Sequence, residues 1–275
     1  FLSENGKFLP RLTGPDSGNV LLRNTQFFKA DNEEESHAIA KNIILAKIAN
    51  SRIILQRFIR DHGEGKDTEA LSYAIKHLSQ LGRKVQRSFN LDFLRGIEGE
   101  AGKTYFSVFS ELILAQKESF RFDSRNRRPP LDNVNALLSF VYTLLANDCT
   151  SALESVGLDP QVGFLHRMRS GRPSLALDLM EEFRAFFADR LVLSLINLRQ
   201  IDERGFILSE TGAVEMTDDT RKTVLVAYQK RKQEVTRHPF ILENAKLGVF
   251  FHIQAALLAR YLRGDLDGYP PLFWK

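Results

Sequence analysis

The sequence predicts a mainly α-helical protein, and two observations carry this prediction. Apolar residues recur at helical spacing, as in the series Leu91, Leu94, Ala101 and Tyr105, which forms one stripe at ~100° per residue. Residues that favour helix starts and stops, chiefly Asp, Asn, Gly and Pro, separate such stretches from one another. A hydrophobic share of 43% and a charged share of 26% are ordinary for a globular chain, and 275 residues suffice for one or two domains.

The expected helices follow one another with short connections. They cover residues 31–60, 67–87, a segment that opens at Asn90 or Asp92, 132–157, 174–198, 218–235 and 242–263. Two hairpins are expected besides these helices. One lies in FLSENGKFLPRLTG around Asn5-Gly6, a strong signal for a tight turn between strands, and the other at 206–216 around Glu210-Thr211-Gly212.

Composition excludes several classes of protein. The single cysteine, Cys149, rules out an internal disulfide and a zinc cluster built from several cysteines. No run of about 18 apolar residues and no secretory signal is visible, which favours a cytoplasmic protein without membrane contact.

The basic residues matter by their location, because the net charge is only +4. Such clusters usually form solvated faces, and the one beside His166 is the best candidate for contacts with phosphate. The three clusters are Arg121, Arg125, Arg127 and Arg128; Arg167, Arg169 and Arg172; and Lys230, Arg231, Lys232 and Arg237.

Glu98 is the first residue that suggests chemistry, since it falls inside an apolar helical stripe. Burying an ionised carboxylate costs several kcal/mol unless it is paired or binds a metal. Three glycines surround it in RGIEGEAGKTYF, and they would let a backbone or a ligand come close. The alternative is a buried glutamate paired with an arginine such as Arg95.

The segment LALDLMEEFR places three carboxylates on a second helix, which is expected to begin at Ser174 after Pro173. Glu181 and Glu182 follow Asp178 by three and four residues, so all three carboxylates border one face of that helix. Helical geometry does not choose between Glu181 and Glu182 as a ligand. An acidic, solvated first turn is the alternative interpretation.

His166 lies in the glycine- and proline-rich loop GFLHRMRSGRP that enters this helix directly. A single histidine is usually a surface or core residue, but here three arginines flank it. Carboxylates and one imidazole among arginines suit a divalent metal ion that works on phosphate.

Together these motifs resemble a known family. GIEGEAG, RPPLDNVNALLSFVYTLLANDC, GFLHRMRSGRPSLALDLMEEFR, AYQKRKQ and LLARYLRGDLDGYPPLFWK are similar to the CRISPR-associated adaptation integrase, closest to its subtype I-C branch. The resemblance runs from about Asp31 to Lys275. It implies a metal-dependent DNA endonuclease and integrase that cleaves phosphodiesters and inserts new spacers into the CRISPR array by strand transfer.

The resemblance also assigns roles to residues. It implies that Glu98, His166 and Glu181 are the catalytic ligands of one Mn²⁺ or Mg²⁺ ion, with Asp178 as a neighbour or alternative ligand. It further implies that Arg184 faces DNA phosphate, next to the cluster Arg167, Arg169 and Arg172.

Domain organisation and partners follow from the same resemblance. Residues 1–26 are expected to be the remnant of an N-terminal β domain, and residues 27–275 the α-helical catalytic domain. The implied partners are double-stranded DNA, as protospacer and CRISPR leader-repeat, a second copy of the chain and a small CRISPR-associated protein.

Two other classes stay open on sequence alone. A metal phosphohydrolase of the His-Asp class needs adjacent His-Asp residues, whereas Asp61-His62 has the reverse order. A non-catalytic helical DNA scaffold would account for the arginines but not for Glu98 in an apolar stripe.

Overall fold

Helices form most of the chain in the computed structural model, which describes residues 19–274. The helices are α1 (Val20–Asp31), α2 (Glu33–His62), α3 (Glu69–Gln86), α4 (Leu91–Ser107), α5 (Asn133–Ser155), α6 (Ser174–Glu181), α7 (Arg190–Asn197), α8 (Asp218–Lys232) and α9 (Leu247–Arg263). Two antiparallel hairpins accompany them: β1 (Phe206–Leu208) with β2 (Val214–Met216), and β3 (Val235–Arg237) with β4 (Asn244–Lys246). The predicted mainly α fold class is confirmed.

The first described helix, α1, spans residue 26, where the expected domain boundary lies, and that division stays a prediction. The hairpin expected around Asn5-Gly6 lies outside the described residues, and residues 20–26 belong to α1. Leu22 and Gln26, four positions apart, are buried on one face of that helix. The Gln26 amide donates to the carbonyls of Asp159 and Val162 at 2.8 and 2.9 Å, so α1 packs on the loop that leads to His166.

Side-chain caps mark the starts of four of the described helices, α2, α4, α5 and α8. Asn90 accepts a hydrogen bond from the Phe93 amide at the start of α4, and Asp132 accepts one from the Asn135 amide at the start of α5. The expected cap at Asp31 is wrong, because α1 continues through it. Asn32 caps α2 instead, accepting from the Glu35 amide.

The expected helix over 174–198 is interrupted. Residues Arg184–Asp189 form a π-helical turn between α6 and α7. Apolar spacing does not reveal such a turn, since one extra residue per turn changes the phase of the pattern only locally. The second correction concerns 242–246, which form a turn and β4 rather than the start of α9.

The helix α5 lies in the middle of the core and packs against α6 and α9. Among the described residues, α5 is the one helix that is long and apolar enough to cross a membrane, judged by length and composition alone. Its most apolar window is 61% buried inside the protein, as in the central helix of a globular core.

The C-terminal segment is fastened beside the acidic helix. The buried Asn50 amide of α2 donates to the carbonyls of Glu182 and Leu272, both at 2.8 Å, and its oxygen accepts from the Trp274 amide. The Trp274 ring stacks on Phe186 of the π-helical turn with 4.4 Å between ring centroids. This packing fixes the position of the helix that carries Glu181.

Candidate active site

Asp178 organises the loop that carries His166. Its carboxylate is fully buried and accepts four hydrogen bonds: from the backbone amides of Phe164, Leu165 and His166 at 2.7 to 3.0 Å, and from His166 Nδ1 at 2.6 Å. With both oxygens engaged in this way, the alternative role of Asp178 as a direct metal ligand does not fit. Its geometry is that of a carboxylate that orients a histidine and leaves Nε2 for a ligand.

The loop that carries His166 lies so close to α6 that one of its positions, Gly163, requires glycine. A Cβ at Gly163 would be 2.8 Å from the Ser174 backbone carbon and 2.9 Å from Asp178 Oδ2. The first amides of α6, those of Leu175 and Ala176, donate to the Pro160 carbonyl and tie the loop to the helix start. The sequence showed Gly163 only as a turn former, whereas its necessity comes from this close approach.

Glu98 and Glu181 face each other across one cation. The Lys47 ammonium of α2 bonds Glu98 Oε1 and lies 2.8 Å from Glu181 Oε2. Glu98 stands at the edge of the buried face of α4, with 28% of its side chain exposed, whereas Glu181 is 3% exposed. The expected alternative partner, Arg95, instead bonds Asp92 and the Leu165 carbonyl.

Cations keep the Glu181 carboxylate ionised. Burial by itself raises the pKa of Glu181, but Arg184, Lys47 and His166 outweigh burial and hold that pKa well below its usual range. Arg184 Nη1 donates to both oxygens of Glu181, at 2.7 and 3.0 Å.

Glu182, the third carboxylate, points away from this site. It is fully buried and accepts from Tyr269 Oη, Gln254 Nε2 and the Leu272 amide. Burial raises the pKa of Glu182 to about 7, although these donors oppose the shift. The structure thus separates the two glutamates that helical geometry left equivalent: Glu181 faces Glu98, and Glu182 anchors the C-terminal segment.

A divalent cation fits this arrangement once Lys47 moves. Within residues 19–274 no three His, Cys, Asp or Glu side chains converge closely enough to hold a metal as they stand. The Lys47 ammonium nevertheless occupies a position between two carboxylates where a positive charge is stabilised, and His166 is oriented by Asp178 beside them. Two carboxylates and one imidazole are a donor set suited to Mn²⁺ or Mg²⁺.

A cationic cleft of about 550 Å³ opens beside Glu98. Gly99 and Gly102 form part of its wall, and a Cβ at either would meet nothing within 4 Å. The expected approach of another backbone to these glycines is therefore not seen in the described part of the chain, and their side of α4 is open to a ligand. The basic residues that line the cleft are Lys47, Lys103, Arg125, Arg127 and Arg184.

The arginines expected to meet DNA differ in their surroundings. Arg167 and Arg169 are exposed, Arg172 is half-buried, and Arg167 bonds Asp92 at 2.9 Å. Arg184 is 7% exposed, its guanidinium donates to Glu181, and it also lines the cleft, so its expected contact with DNA phosphate stays a prediction.

Sequence reasoning missed the basic residues contributed by distant segments. Lys47 interrupts the apolar run ILAKIAN in α2, and that interruption was a usable signal. Arg125 and Arg127 belong to a cluster that was interpreted as a solvated face, yet both line the cleft. Burial lowers the pKa of Arg125 to about 10.

Comparison with known proteins decides the family. The family model described as CRISPR associated protein Cas1 matches residues 1–230. The CRISPR-associated endonuclease Cas1 1 of Chlorobaculum tepidum is 54% identical over 275 residues, which are 100% of this chain and 80% of that protein. The chain belongs to the Cas1 family.

Solved structures agree with the Cas1 assignment. A casposase bound to its integration product superposes with a TM-score of 0.85 at 25% identity, covering 100% of this chain and 74% of that one. A Cas6-RT-Cas1–Cas2 complex gives a TM-score of 0.82 at 26% identity, covering 99% of this chain and 29% of that one.

These matches confirm the predicted activity. This Cas1 chain is a CRISPR-associated endonuclease and an integrase of CRISPR adaptation. Cas1 endonucleases generally depend on a divalent metal ion. The assignment to subtype I-C and the division of the chain at residue 26 stay predictions.

Proposed function

We propose that Glu98, His166 and Glu181 hold one Mn²⁺ or Mg²⁺ ion with which this Cas1 chain cleaves and joins DNA phosphodiesters. The observation that carries the proposal is the Lys47 ammonium between the two carboxylates, since it marks the place where this site stabilises a cation. Open coordination positions then remain for substrate oxygens.

The residues around the ion have distinct tasks. When bound, the ion neutralises charge that develops on the phosphodiester and favours the deprotonated form of an attacking 3′-hydroxyl or water. Asp178 holds the His166 ring by its Nδ1 and so leaves Nε2 to bind the ion. Lys47 gives up its place between the carboxylates and remains near the cleft, where its charge can meet a phosphate.

The cleft beside Glu98 is the proposed path of a DNA strand towards the site. Its basic side chains offer contacts to phosphate that do not depend on base sequence. Arg167, which bonds Asp92 of α4, and its neighbours Arg169 and Arg172 are proposed to add further phosphate contacts. The proposed substrates are double-stranded DNA, as protospacer and as CRISPR leader-repeat.

The assembly is proposed from relatives and neighbours. The structural match to a complex that contains Cas1 and Cas2 supports a small CRISPR-associated partner protein. We infer a homodimer from the family resemblance, and a cytoplasmic location because the proposed substrates are DNA.

A single substitution tests the metal site. Glu98→Gln keeps the shape of the side chain and removes one ligand charge, so we expect Mn²⁺ binding in calorimetry and Mn²⁺-dependent DNA cleavage to be lost. The control is Glu100→Gln, which removes the same charge from the same helix at a residue that bonds His77. If Glu98→Gln cleaves DNA and binds Mn²⁺ like the control, Glu98 is not a ligand.

A further inference from the structure

The π-helical turn brings two charged residues to the same side of the helix. Arg184 and Asp189 are its first and last residues, five positions apart. In an α-helix they would point about 140° apart, because 3.6 residues complete one turn. The i to i+5 bonding of a π turn places such residues roughly above one another, and these turns occur mostly at functional sites.

Both side chains converge on Tyr142 of α5. The Arg184 guanidinium lies 4.3 Å from the centroid of the Tyr142 ring, and Tyr142 Oη donates to Asp189 Oδ1 at 2.5 Å. Arg184 and Tyr142 are each 7% exposed and Asp189 is 1% exposed. One aromatic side chain therefore fixes the arginine by its face and the aspartate by its hydroxyl.

The fixed guanidinium in turn fixes Glu181. Arg184 Nη1 reaches both Glu181 oxygens, so the position of the guanidinium determines the orientation of the carboxylate. In that orientation Oε2 points to Lys47, on the side of Glu98. A chain of contacts thus leads from Asp189 through Tyr142 and Arg184 to Glu181.

Burying the Asp189 carboxylate in this chain of contacts costs free energy of folding. Its short hydrogen-bond partner is a neutral phenol, Tyr142, and burial raises the pKa of Asp189 to about 6 despite the opposing effects of Tyr142 and Arg184. The Tyr105 hydroxyl also faces this carboxylate. A buried carboxylate is weak evidence for stability, and a role in fixing one geometry accounts for it better.

We propose that Tyr142 and Asp189 are positioning residues of the metal site, which hold Arg184 and through it keep the Glu181 carboxylate turned towards Glu98. The inference rests on the proposed role of Glu181 as a ligand. Without Tyr142 or Asp189, Arg184 can follow Glu181 into other rotamers and compete with the metal for its oxygens.

The test compares Mn²⁺ affinity, measured by calorimetry, with thermal stability. Tyr142→Phe removes the hydroxyl without changing charge or ring, and Asp189→Asn keeps the shape and removes the charge. We expect each to weaken Mn²⁺ binding by about 10- to 100-fold, the usual effect of losing a residue that orients a ligand. Strand-cleavage rates at saturating DNA should fall with the metal affinity.

Arg231→Met is the matched control. The Arg231 guanidinium donates to the carbonyls of Phe186 and Phe187 in the same π-helical turn, at 2.6 and 3.0 Å, but does not contact Arg184 or Glu181. The control should lower the melting temperature and leave Mn²⁺ affinity near wild type. A loss of stability alone would therefore not lower Mn²⁺ affinity in the way expected of Tyr142→Phe and Asp189→Asn.

Three outcomes are decisive. If Tyr142→Phe and Asp189→Asn bind Mn²⁺ as well as Arg231→Met does, the positioning inference is overturned. If Glu181→Gln also binds Mn²⁺ normally, the ligand assignment itself has failed. Should Asp189→Asn not fold, Tyr142→Phe decides alone, because it removes only the hydroxyl that bonds Asp189 and thereby holds the ring under Arg184.

Discussion

Three carboxylates lie close together at the end of α6 and serve three purposes. They belong to Asp178, Glu181 and Glu182. Asp178 holds the His166 loop, Glu181 faces Glu98 across Lys47, and Glu182 receives the C-terminal segment. Chemically similar side chains diverge here because each meets a different part of the fold. Their substitutions should therefore have effects that differ in kind.

Replacing each of the three carboxylates by its amide should lower Mn²⁺ affinity to a different extent. Glu181→Gln should lose most of it, because a ligand is removed. Asp178→Asn should lose part, about 10- to 100-fold, because the His166 ring is then poorly oriented. Glu182→Gln should retain most of it. Calorimetry on folded variants checks the order, and a larger loss in Glu182→Gln than in Glu181→Gln would reverse the assignment.

Glu182 should make stability depend on pH. Its pKa rises from 4.5 to about 7 on folding, so between these values the folded state binds a proton that the unfolded state has lost. Its contribution is thus fully present below about pH 4.5 and is lost as pH rises towards 7, a change of roughly 2 to 3 kcal/mol.

The pH experiment compares wild type with Glu182→Gln in metal-free buffer. The free energy of unfolding, measured with denaturant from pH 5 to 7.5, should fall more steeply with pH in wild type. Parallel curves for the two proteins would show that Glu182 does not titrate in this range.

At the scale of elements, the C-terminal segment stabilises the acidic helix through Asn50. This side chain joins α2, the residue after α6, and the C-terminal segment in three hydrogen bonds, two of which are buried. The contact is made by the Glu182 backbone carbonyl and not by the Glu181 side chain, so it sets the position of the helix rather than the chemistry.

Asn50→Ala should destabilise the protein by about 3 kcal/mol, since three backbone groups, two of them in buried hydrogen bonds, lose their partner. Asn42→Ala is the control, because Asn42 is half-buried and donates a single bond to the Tyr269 carbonyl. It should cost about 1 kcal/mol in the same denaturant titration. If both substitutions lower the free energy of unfolding equally, the three hydrogen bonds of Asn50 contribute no more than the single bond of Asn42.

At the scale of the whole molecule, the basic cleft should determine how DNA binding responds to salt. Lys103 and Arg127 line the cleft but lie outside the proposed ligand set. Each phosphate contact contributes about 0.9 to the slope of log affinity against log salt concentration for duplex DNA.

Arg127→Ala should weaken DNA binding on all sequences alike and reduce this slope by about 1. Arg204→Ala, which removes the same charge from an exposed residue that bonds Asp202, is the control and should leave the slope unchanged. Fluorescence anisotropy at several salt concentrations measures both. An unchanged slope for Arg127→Ala would place the DNA elsewhere.

The sequence by itself determined the helical fold class and most helix bounds, because periodicity and caps such as Asn90 and Asp132 act over one or two turns. The sequence motifs also indicated the family, and the resemblance to it implied that Glu98, His166 and Glu181 are metal ligands. The interruption at Arg184–Asp189 and the hairpin of β3 and β4 carry no comparable local signal, and both were missed.

Only the tertiary structure decided which side chains meet. Lys47 reaches Glu181 across 134 positions, and Tyr142 reaches Asp189 from another helix. Helical spacing leaves Glu181 and Glu182 on one face, and packing against α2, α9 and the C-terminal segment gives them different partners. Long-range contacts depend on the sum of all packing interactions, so no local pattern in the chain specifies them.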